Sequence, residues 1–197
     1  KLYGAEVEIQ KYFPLESLGG DFFASRRLVA IANYTYSNSE ITADETCAPN
    51  VANPDLGLGG CSQGFAPASG LFRDNAPLTG QSDHLVNLQL GIEDTDRLSQ
   101  LTFLFNYASD RVTNRGPSNL SGAGFQPDII ERPGVRFDIV ARQGFEVGGG
   151  QFELKVEGRN LTGTRFNERQ TFENGNVVYI NRYNLGRIFS LGLSTTF

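Results

Sequence analysis

The sequence predicts an all-β fold, an antiparallel up-and-down β-barrel whose strands cross a membrane. Three observations carry this prediction. The closing segment 189–197 alternates apolar with small or polar residues, the same alternation recurs along the chain, and long connections alternate with short ones. Period two puts the two sets of side chains on opposite faces of a strand, one towards lipid and one towards a polar lumen. In the closing segment the first set is Phe189, Leu191, Leu193, Thr195 and Phe197, and the second is Ser190, Gly192, Ser194 and Thr196.

The composition agrees with β structure and excludes two other classes of protein. The 197 residues include 23 Gly and 15 Phe but neither Met nor Trp, which favours glycine-rich and aromatic-rich strands over helices. No run of about 18 apolar residues exists, and this excludes helices that span a membrane. The net charge of -5 comes without a basic cluster, so we expect no nucleic-acid partner.

Alternation predicts the first four strands over about 2–13, 22–37, 86–93 and 101–108. In the first, Ala5, Val7 and Ile9 oppose Glu6, Glu8 and Gln10. In the second, Leu28, Ala30, Ala32, Tyr34 and Tyr36 oppose Val29, Ile31, Asn33 and Thr35. In the third, Val86, Leu88, Leu90 and Ile92 oppose Asn87, Gln89, Gly91 and Glu93. In the fourth, Leu101, Phe103, Phe105 and Tyr107 oppose Thr102, Leu104, Asn106 and Ala108.

Three further strands are predicted in the second half of the chain, over about 135–142, 152–159 and 177–197. In the fifth, Val135, Phe137, Ile139 and Ala141 oppose Arg136, Asp138, Val140 and Arg142. In the sixth, Phe152, Leu154 and Val156 oppose Glu153, Lys155, Glu157 and Arg159. The seventh is predicted as one long strand that contains Arg187 on the lipid-facing set, near the outer interface.

The connections between these strands favour a barrel over a soluble β-sandwich. The links 14–20, 94–97 and 148–150 are short, whereas 38–79 and 112–132 are long. If the last strand ends in the periplasm, the short links all lie on the periplasmic side and the two long loops lie outside, as in outer-membrane barrels. Only the turn at 173–176 breaks the pattern, and a sandwich gives no reason for such segregation.

The charges of the sixth strand indicate which face is polar. Glu153, Lys155, Glu157 and Arg159 alternate in sign, about 6.6 Å apart, and can pair along the strand or across to the fifth. A water-filled lumen tolerates these charges, whereas each basic residue at the lipid midplane would cost about 2 to 4 kcal/mol. The tyrosines Tyr34, Tyr36 and Tyr107 near the outer strand ends are either part of an aromatic girdle or ordinary strand residues.

An odd number of strands predicts an incomplete barrel. Bacterial single-chain barrels have an even number of strands with both ends in the periplasm. Seven strands would leave two open edges, so we expect residues 1–197 to be one segment of a larger barrel.

Cysteine spacing predicts a disulfide in the first long loop. Cys47 and Cys61 would close a loop of about 15 residues, worth about 3 kcal/mol when oxidised, and an extracytoplasmic setting permits it. The alternative is two free thiols. A metal site is not expected, because His84 is the only histidine and no further cysteine can complete four zinc ligands.

Three motifs resemble a known family, the TonB-dependent outer-membrane receptors. The segment 80–90, GQSDHLVNLQL, is similar to the opening of a late barrel strand in that family. The segment 157–162, EGRNLT, resembles its penultimate strand, and 183–197 resembles its closing strand, whose terminal aromatic, here Phe197, is a barrel-assembly signal. The resemblance implies a barrel of 22 strands of which this chain is the C-terminal segment, without the plug domain and the TonB box.

The same resemblance implies a function and a location. Members import iron chelates, cobalamin, saccharides or similar scarce ligands across the outer membrane of Gram-negative bacteria, with energy relayed by the TonB complex. The implied partners are outer-membrane lipid, the rest of the barrel and plug, TonB through other segments, and a small-molecule ligand; no cofactor is implied.

Ligand contacts are expected in the two long loops and along the lumen. The candidates are Asp44, Glu45, Asp55, Arg115, Arg136 and Arg142. The three loop carboxylates either favour a cationic ligand or are merely solvated.

Three alternative functions stay open at this point. A passive porin would use the loop 38–79 folded inward, and a soluble β-sandwich would be a binding module. An esterase would need Ser82 and His84 within hydrogen-bond reach, but two positions along a strand separate side chains by about 6 to 7 Å. We therefore expect the chain not to be an enzyme.

Overall fold

The computed structural model describes residues 1–51, 54–117 and 125–196, and within them the fold is all-β with antiparallel sheets. The strands are β1 (Leu2–Pro14), β2 (Arg26–Ser39), β3 (Cys47–Pro49), β4 (Phe65–Pro67), β5 (His84–Asp94), β6 (Ser99–Ala108), β7 (Arg111–Asn114), β8 (Ile129–Glu131), β9 (Gly134–Val147), β10 (Gly150–Arg159), β11 (Arg165–Thr171), β12 (Val177–Asn184) and β13 (Ile188–Thr196). A 3-10 helix covers Glu16–Leu18 and α1 covers Ala68–Leu71. None of the helices in these described ranges has the length and apolar character needed to cross a membrane.

Seven strands form one sheet, the main sheet, in the order β1-β2-β5-β6-β9-β10-β13. Every neighbouring pair is antiparallel and follows the chain, so the predicted up-and-down arrangement of seven alternating strands is confirmed. The sheet is open in the described part of the chain, because β1 and β13 each pair with one strand only.

The strand register collects the predicted apolar sets on one face, the apolar face. One row across the sheet runs Ile9, Ala32, Leu88, Phe105 and Phe137, each directly opposite the next. The alternate rows carry the polar sets, which define the polar face. Because side chains alternate with period two, antiparallel pairing without slippage keeps the two sets apart over the whole sheet.

None of the described parts of the chain covers the apolar face. Leu90 is 49% exposed, Ile9 62%, Leu193 66% and Leu191 75%. The buried apolar side chains lie elsewhere: Val29 points to the polar face, and the others are Ala43, Ala66, Ala76 and Val112 in the long connections. The small core of the described residues is therefore not the surface that holds most of the apolar strand residues.

Connections are segregated by length between the two ends of the main sheet. The short-link end holds 15–25, 95–98 and the two-residue turn Gly148–Gly149, whose positive φ values of 60° and 81° suit glycine. The long-link end holds 40–83, 109–133 and 160–187. The turn at 173–176 was expected to be a short link at the long-link end. It joins β11 to β12, which belong to another sheet, and the connection from β10 to β13 in the main sheet is long. The segregation by length therefore has no exception in the main sheet.

A second sheet extends beyond the long-link end, in the order β12-β11-β8-β7. Its strands continue β13, β10, β9 and β6 after short breaks in the chain. The prediction of one strand over 177–197 is wrong for this reason: β12 ends at Asn184, and β13 begins at Ile188 in the other sheet. Arg187 lies in the break and donates from Nε to the carbonyl of Leu161 at 2.9 Å, so its expected place in a lipid-facing strand is also wrong.

Asn160 holds the two breaks together. It has a φ of 53°, a left-handed value that Asn tolerates better than most residues, and it is 8% exposed. Its Nδ2 donates to the carbonyls of Thr164 at 3.0 Å and Gly186 at 2.6 Å, and its Oδ1 accepts from the Thr164 amide at 3.0 Å. The Asn160 amide in turn donates to Asp138 Oδ1 at 2.6 Å. One side chain thus joins β10, the start of β11 and the end of the β12 segment.

Replacement of Asn160 should separate the two contributions of this residue. Asn160→Gly loses the side-chain hydrogen bonds, each worth about 0.5 to 1.5 kcal/mol. Asn160→Ala loses them as well and adds about 1 to 2 kcal/mol of strain, because alanine disfavours the left-handed conformation. We expect the unfolding free energy, measured by urea titration, to fall in the order Asn, Gly, Ala. Equal stability of all three proteins would contradict this role of Asn160.

Candidate functional site

Ion pairs occupy the polar face of β9 and β10, from Glu153 near the short-link end to Arg159, the last residue of β10, at the long-link end. Arg142 donates to both carboxylate oxygens of Glu153, from Nε at 2.6 Å and from Nη2 at 3.1 Å. Glu157, 9% exposed, accepts from Lys155 at 2.6 Å and from Arg159 at 3.1 Å. The pairing expected from the alternating charges is therefore present. The charged groups of Arg142, Glu153, Lys155, Glu157 and Arg159 form ion pairs with one another and do not need a ligand to neutralise them.

The two lumen candidates among the arginines differ in their surroundings. Arg142 is committed to Glu153. Arg136 is exposed, and no side-chain hydrogen bond or ion pair involves it within the described ranges. Among the described residues, the guanidinium group of Arg136 is therefore the one on this face that is left free to meet an incoming molecule.

The first long connection, 40–83, is closed by a disulfide. Cys47 and Cys61 are bonded at an S–S distance of 2.03 Å, as their spacing predicted. Cys47 opens β3, which pairs with β4, so the bond joins the start of this small sheet to the chain between its two strands. The cross-link restricts the unfolded loop and is worth about 3 kcal/mol for a loop of this length.

Two of the three candidate loop carboxylates take part in the structure of that loop. Asp44 Oδ1 accepts from the Thr46 amide at 2.9 Å, and hydrogen bonds from Thr46 hold the pKa of Asp44 below its ordinary value. Glu45 accepts from the Ser69 hydroxyl at 2.8 Å, and the Ser69 amide donates to the Asp44 carbonyl. Asp55 is exposed, and no hydrogen bond in the described residues joins its side chain to the other two. The three carboxylates do not form one site.

Asp128 joins the two long loops. Its Oδ2 accepts from Arg115 Nη1 at 2.7 Å and from Arg73 Nη1 at 3.4 Å, and its Oδ1 accepts from the Gly116 amide at 2.9 Å. Arg73 also donates to the Gln126 carbonyl at 3.1 Å. Because Arg73 belongs to the connection 40–83 and Asp128 to 109–133, this junction fixes one loop against the other. Arg115, a candidate ligand contact, is thus a structural residue of the junction.

His84 and Ser82 are engaged separately. His84 Nδ1 lies 2.9 Å from the Tyr34 hydroxyl, and its ring lies against those of Tyr34 and Tyr36, at centroid distances of 6.1 and 5.4 Å. Ser82, 5% exposed, donates to the Ser109 carbonyl at 2.8 Å. The hydroxyl and the imidazole therefore do not make the contact that a hydrolase nucleophile and base require.

These aromatic side chains lie on the apolar face near the long-link end. Tyr34 and Tyr107 belong to one row, each opposite Val86, and Tyr36 lies opposite His84. The tyrosines expected to form a girdle thus lie in two adjacent rows of the sheet. Phe197, the candidate assembly signal, lies outside the described residues. In the part of the chain that the structure describes, no group of three His, Cys, Asp or Glu side chains could hold a metal ion.

Sequence reasoning missed Arg73, Asp128 and Asn160. Arg73 and Asp128 are 55 positions apart in irregular segments, so no periodic signal links them. Asn160 had a partial signal, because Asn is frequent at left-handed positions and the resemblance singled out its segment. No sequence signal indicated the hydrogen bond from Asn160 to Gly186, 26 positions away.

Comparison of the chain with protein-family models, with curated proteins and with solved structures finds no match. The resemblance to TonB-dependent receptors accordingly rests on the order and spacing of the sequence motifs.

Removal of the Asp128 charge should loosen both long loops together. Asp128 is a shared acceptor for two guanidinium groups, and a hydrogen bond to a charged group is worth about 1.5 to 3 kcal/mol. We expect Asp128→Asn to accelerate limited proteolysis in 40–83 as well as in 109–133, while Asp55→Asn, an exposed carboxylate without such contacts, changes neither. Faster cleavage of only one loop would show that Asp128 does not join the two.

Proposed function

We propose that this chain forms wall, lumen lining and outer loops of a barrel in the outer membrane of a Gram-negative bacterium, and that the barrel takes up a scarce ligand. The observation that carries the proposal is the uncovered apolar face of the main sheet, continuous across all seven strands. The fold alone does not say what this face contacts, and the proposal is that it contacts the lipid of the membrane.

Lipid is the solvent that best explains this face. Burial of apolar surface is favourable by about 25 cal/mol per Å², so an aqueous protein gains by covering a surface such as that around Leu191 and Leu193. Exposed apolar patches larger than a few hundred Å² mark interaction or membrane surfaces. A β-sandwich would need a second sheet over this face, yet Leu193 is 66% exposed. These facts favour a membrane over a packed interior.

The two ends of the sheet support an orientation. Barrels of the outer membrane have short periplasmic turns and long outer loops. The short-link end would then face the periplasm, and the long-link end, with the second sheet and the disulfide, would face outward. A disulfide suits that compartment, because oxidising conditions prevail outside the cytoplasm.

The open edges support a barrel larger than the main sheet. β1 and β13 both run from the long-link end to the short-link end, so they are parallel to each other. An antiparallel closure therefore needs an odd number of additional strands between them. Membrane barrels close because unpaired backbone groups are costly in lipid. We infer that further strands of the receptor supply this closure, and the resemblance implies 22 strands in total.

Uptake of a ligand is the function that the resemblance adds. In this proposal the outer loops and the outward end of the polar face meet the ligand first. A plug domain and a TonB-contacting segment, supplied by other parts of the receptor, couple import to energy from the inner membrane. The ligand would be an iron chelate, cobalamin, a saccharide or a similarly scarce compound.

A matched pair of substitutions in β5 tests the membrane proposal. Leu90 belongs to the apolar face and its neighbour Gln89 to the polar face. An arginine on the lipid side near the midplane costs about 2 to 4 kcal/mol, whereas one in a polar lumen costs little. We expect Leu90→Arg, introduced into the complete receptor, to reduce its co-flotation with phosphatidylethanolamine/phosphatidylglycerol vesicles, and Gln89→Arg to float like the parent. Equal flotation of the two variants, or no flotation of the parent receptor, would contradict the proposal.

A further inference from the structure

A row of polar side chains crosses five strands of the main sheet. Glu8, Asn33, Asn87, Asn106 and Arg136 lie directly opposite one another in turn, from β1 to β9. The row belongs to the polar face and lies two or three positions from the long-link ends of β5, β6 and β9. A molecule that enters from the long-link end over β5, β6 and β9 reaches this row before the row of Arg27, Glu93 and Arg142.

Four members of this row, Glu8 included, make no side-chain hydrogen bond or ion pair in the described residues, and three of them lie side by side on β5, β6 and β9. Asn87, Asn106 and Arg136 are exposed, and none of their side chains takes part in a hydrogen bond or ion pair in the described ranges 1–51, 54–117 and 125–196. Asn33 differs, because its Nδ2 donates to Glu6 Oε1 at 2.7 Å. Nearer the short-link end the charged groups are paired, Arg27 with Glu93 and Arg142 with Glu153. Free donors and acceptors are thus concentrated at one level of the polar face.

The spacing of these groups defines the chemistry they fit. Neighbouring strands lie about 4.8 Å apart, so Asn87 and Arg136 are separated by about 10 Å with Asn106 midway. Each carboxamide offers donors and an acceptor, which match hydroxyl groups, and the guanidinium offers a fork that matches a carboxylate. The positions next to these in the rows above and below are Leu85, Gln89, Leu104, Ala108, Gly134 and Asp138, so none of these described neighbours offers an aromatic platform for a planar ligand. Asp138 lies beside Arg136 on the same face, and its carboxylate accepts from the Asn160 amide.

We propose that Asn87, Asn106 and Arg136 form a subsite for a polyhydroxylated carboxylate, such as an acidic saccharide, with the carboxylate on Arg136 and hydroxyl groups along the two amides. The subsite rests on the proposed function, because it needs the polar face to be an accessible lumen. It narrows the ligand class within that function from any scarce compound to one that carries an anionic and hydroxyl-rich part. Asp44, Glu45 and Asp55 would then play no part in selecting the charge of the ligand.

Binding of digalacturonate to the complete receptor, reconstituted in vesicles, tests the subsite, with uncharged galactobiose as the comparison. We expect digalacturonate to bind at least tenfold more tightly than galactobiose by isothermal titration calorimetry. Arg136→Gln should remove this preference, a loss of about tenfold or more for the acidic sugar, and Asn106→Ala should weaken both sugars. Arg97→Gln, at an exposed position of the short-link turn 95–98, is the matched charge control and should bind like the parent.

Each result of the sugar-binding experiment either supports or overturns the proposed subsite. Equal affinity for the two sugars, or no binding by a protein that floats with vesicles, overturns the subsite and leaves the membrane proposal standing. An equal loss of affinity in Arg97→Gln and Arg136→Gln also overturns it, because net charge rather than the row would then set affinity. Failure of the parent protein to float overturns the proposed function on which the subsite rests. Retained binding in Arg136→Gln with lost preference supports the assignment and shows that the variant is folded.

Discussion

The structure depends on what covers the apolar face of the main sheet. Seven strands present their apolar side chains on the same side, and the register from Ile9 to Phe137 keeps that side continuous. The few buried apolar residues of the described chain lie elsewhere. A sheet of this kind is stable only with an apolar solvent or an apolar partner over that face. In the proposed membrane setting, lipid would cover the exposed leucines, and the paired charges and the segregated connections agree with that setting.

The breaks between the two sheets show how a long strand pair can change its course. Asn160 replaces strand hydrogen bonds with side-chain bonds to the carbonyls of Thr164 and Gly186, and Arg187 caps the carbonyl of Leu161. Every donor and acceptor supplied this way compensates for backbone groups that leave the ladder. The second sheet can therefore stand beyond the main sheet, where the junction of Asp128 with Arg73 and Arg115 ties the loops together.

The part of the fold that could be predicted from sequence is the part set by local periodicity. Alternation assigned the faces of Leu88, Phe105 and their neighbours, because period two is a property of the strand itself. The second sheet could not be predicted, since β7, β8 and β11 are short and their segments lack clean alternation. The candidate site, too, could be predicted only as far as local periodicity determines it. Arg136 and Arg142 were placed on the polar face from parity, but only the side-chain contacts show that Arg142 is paired with Glu153 and that Arg136 has no such partner among the described residues.

The most direct test of the account compares two adjacent positions of β13 in vesicles. Leu193 and Ser194 are neighbours on opposite faces, and the native cysteines are joined, so a single introduced cysteine takes a spin label selectively. Oxygen concentrates in hydrocarbon and a charged nickel chelate stays in water. The account predicts that a label at Leu193→Cys collides mainly with oxygen and one at Ser194→Cys mainly with the chelate. Equal access of the chelate to both positions, or low access of both probes to position 193, would contradict it.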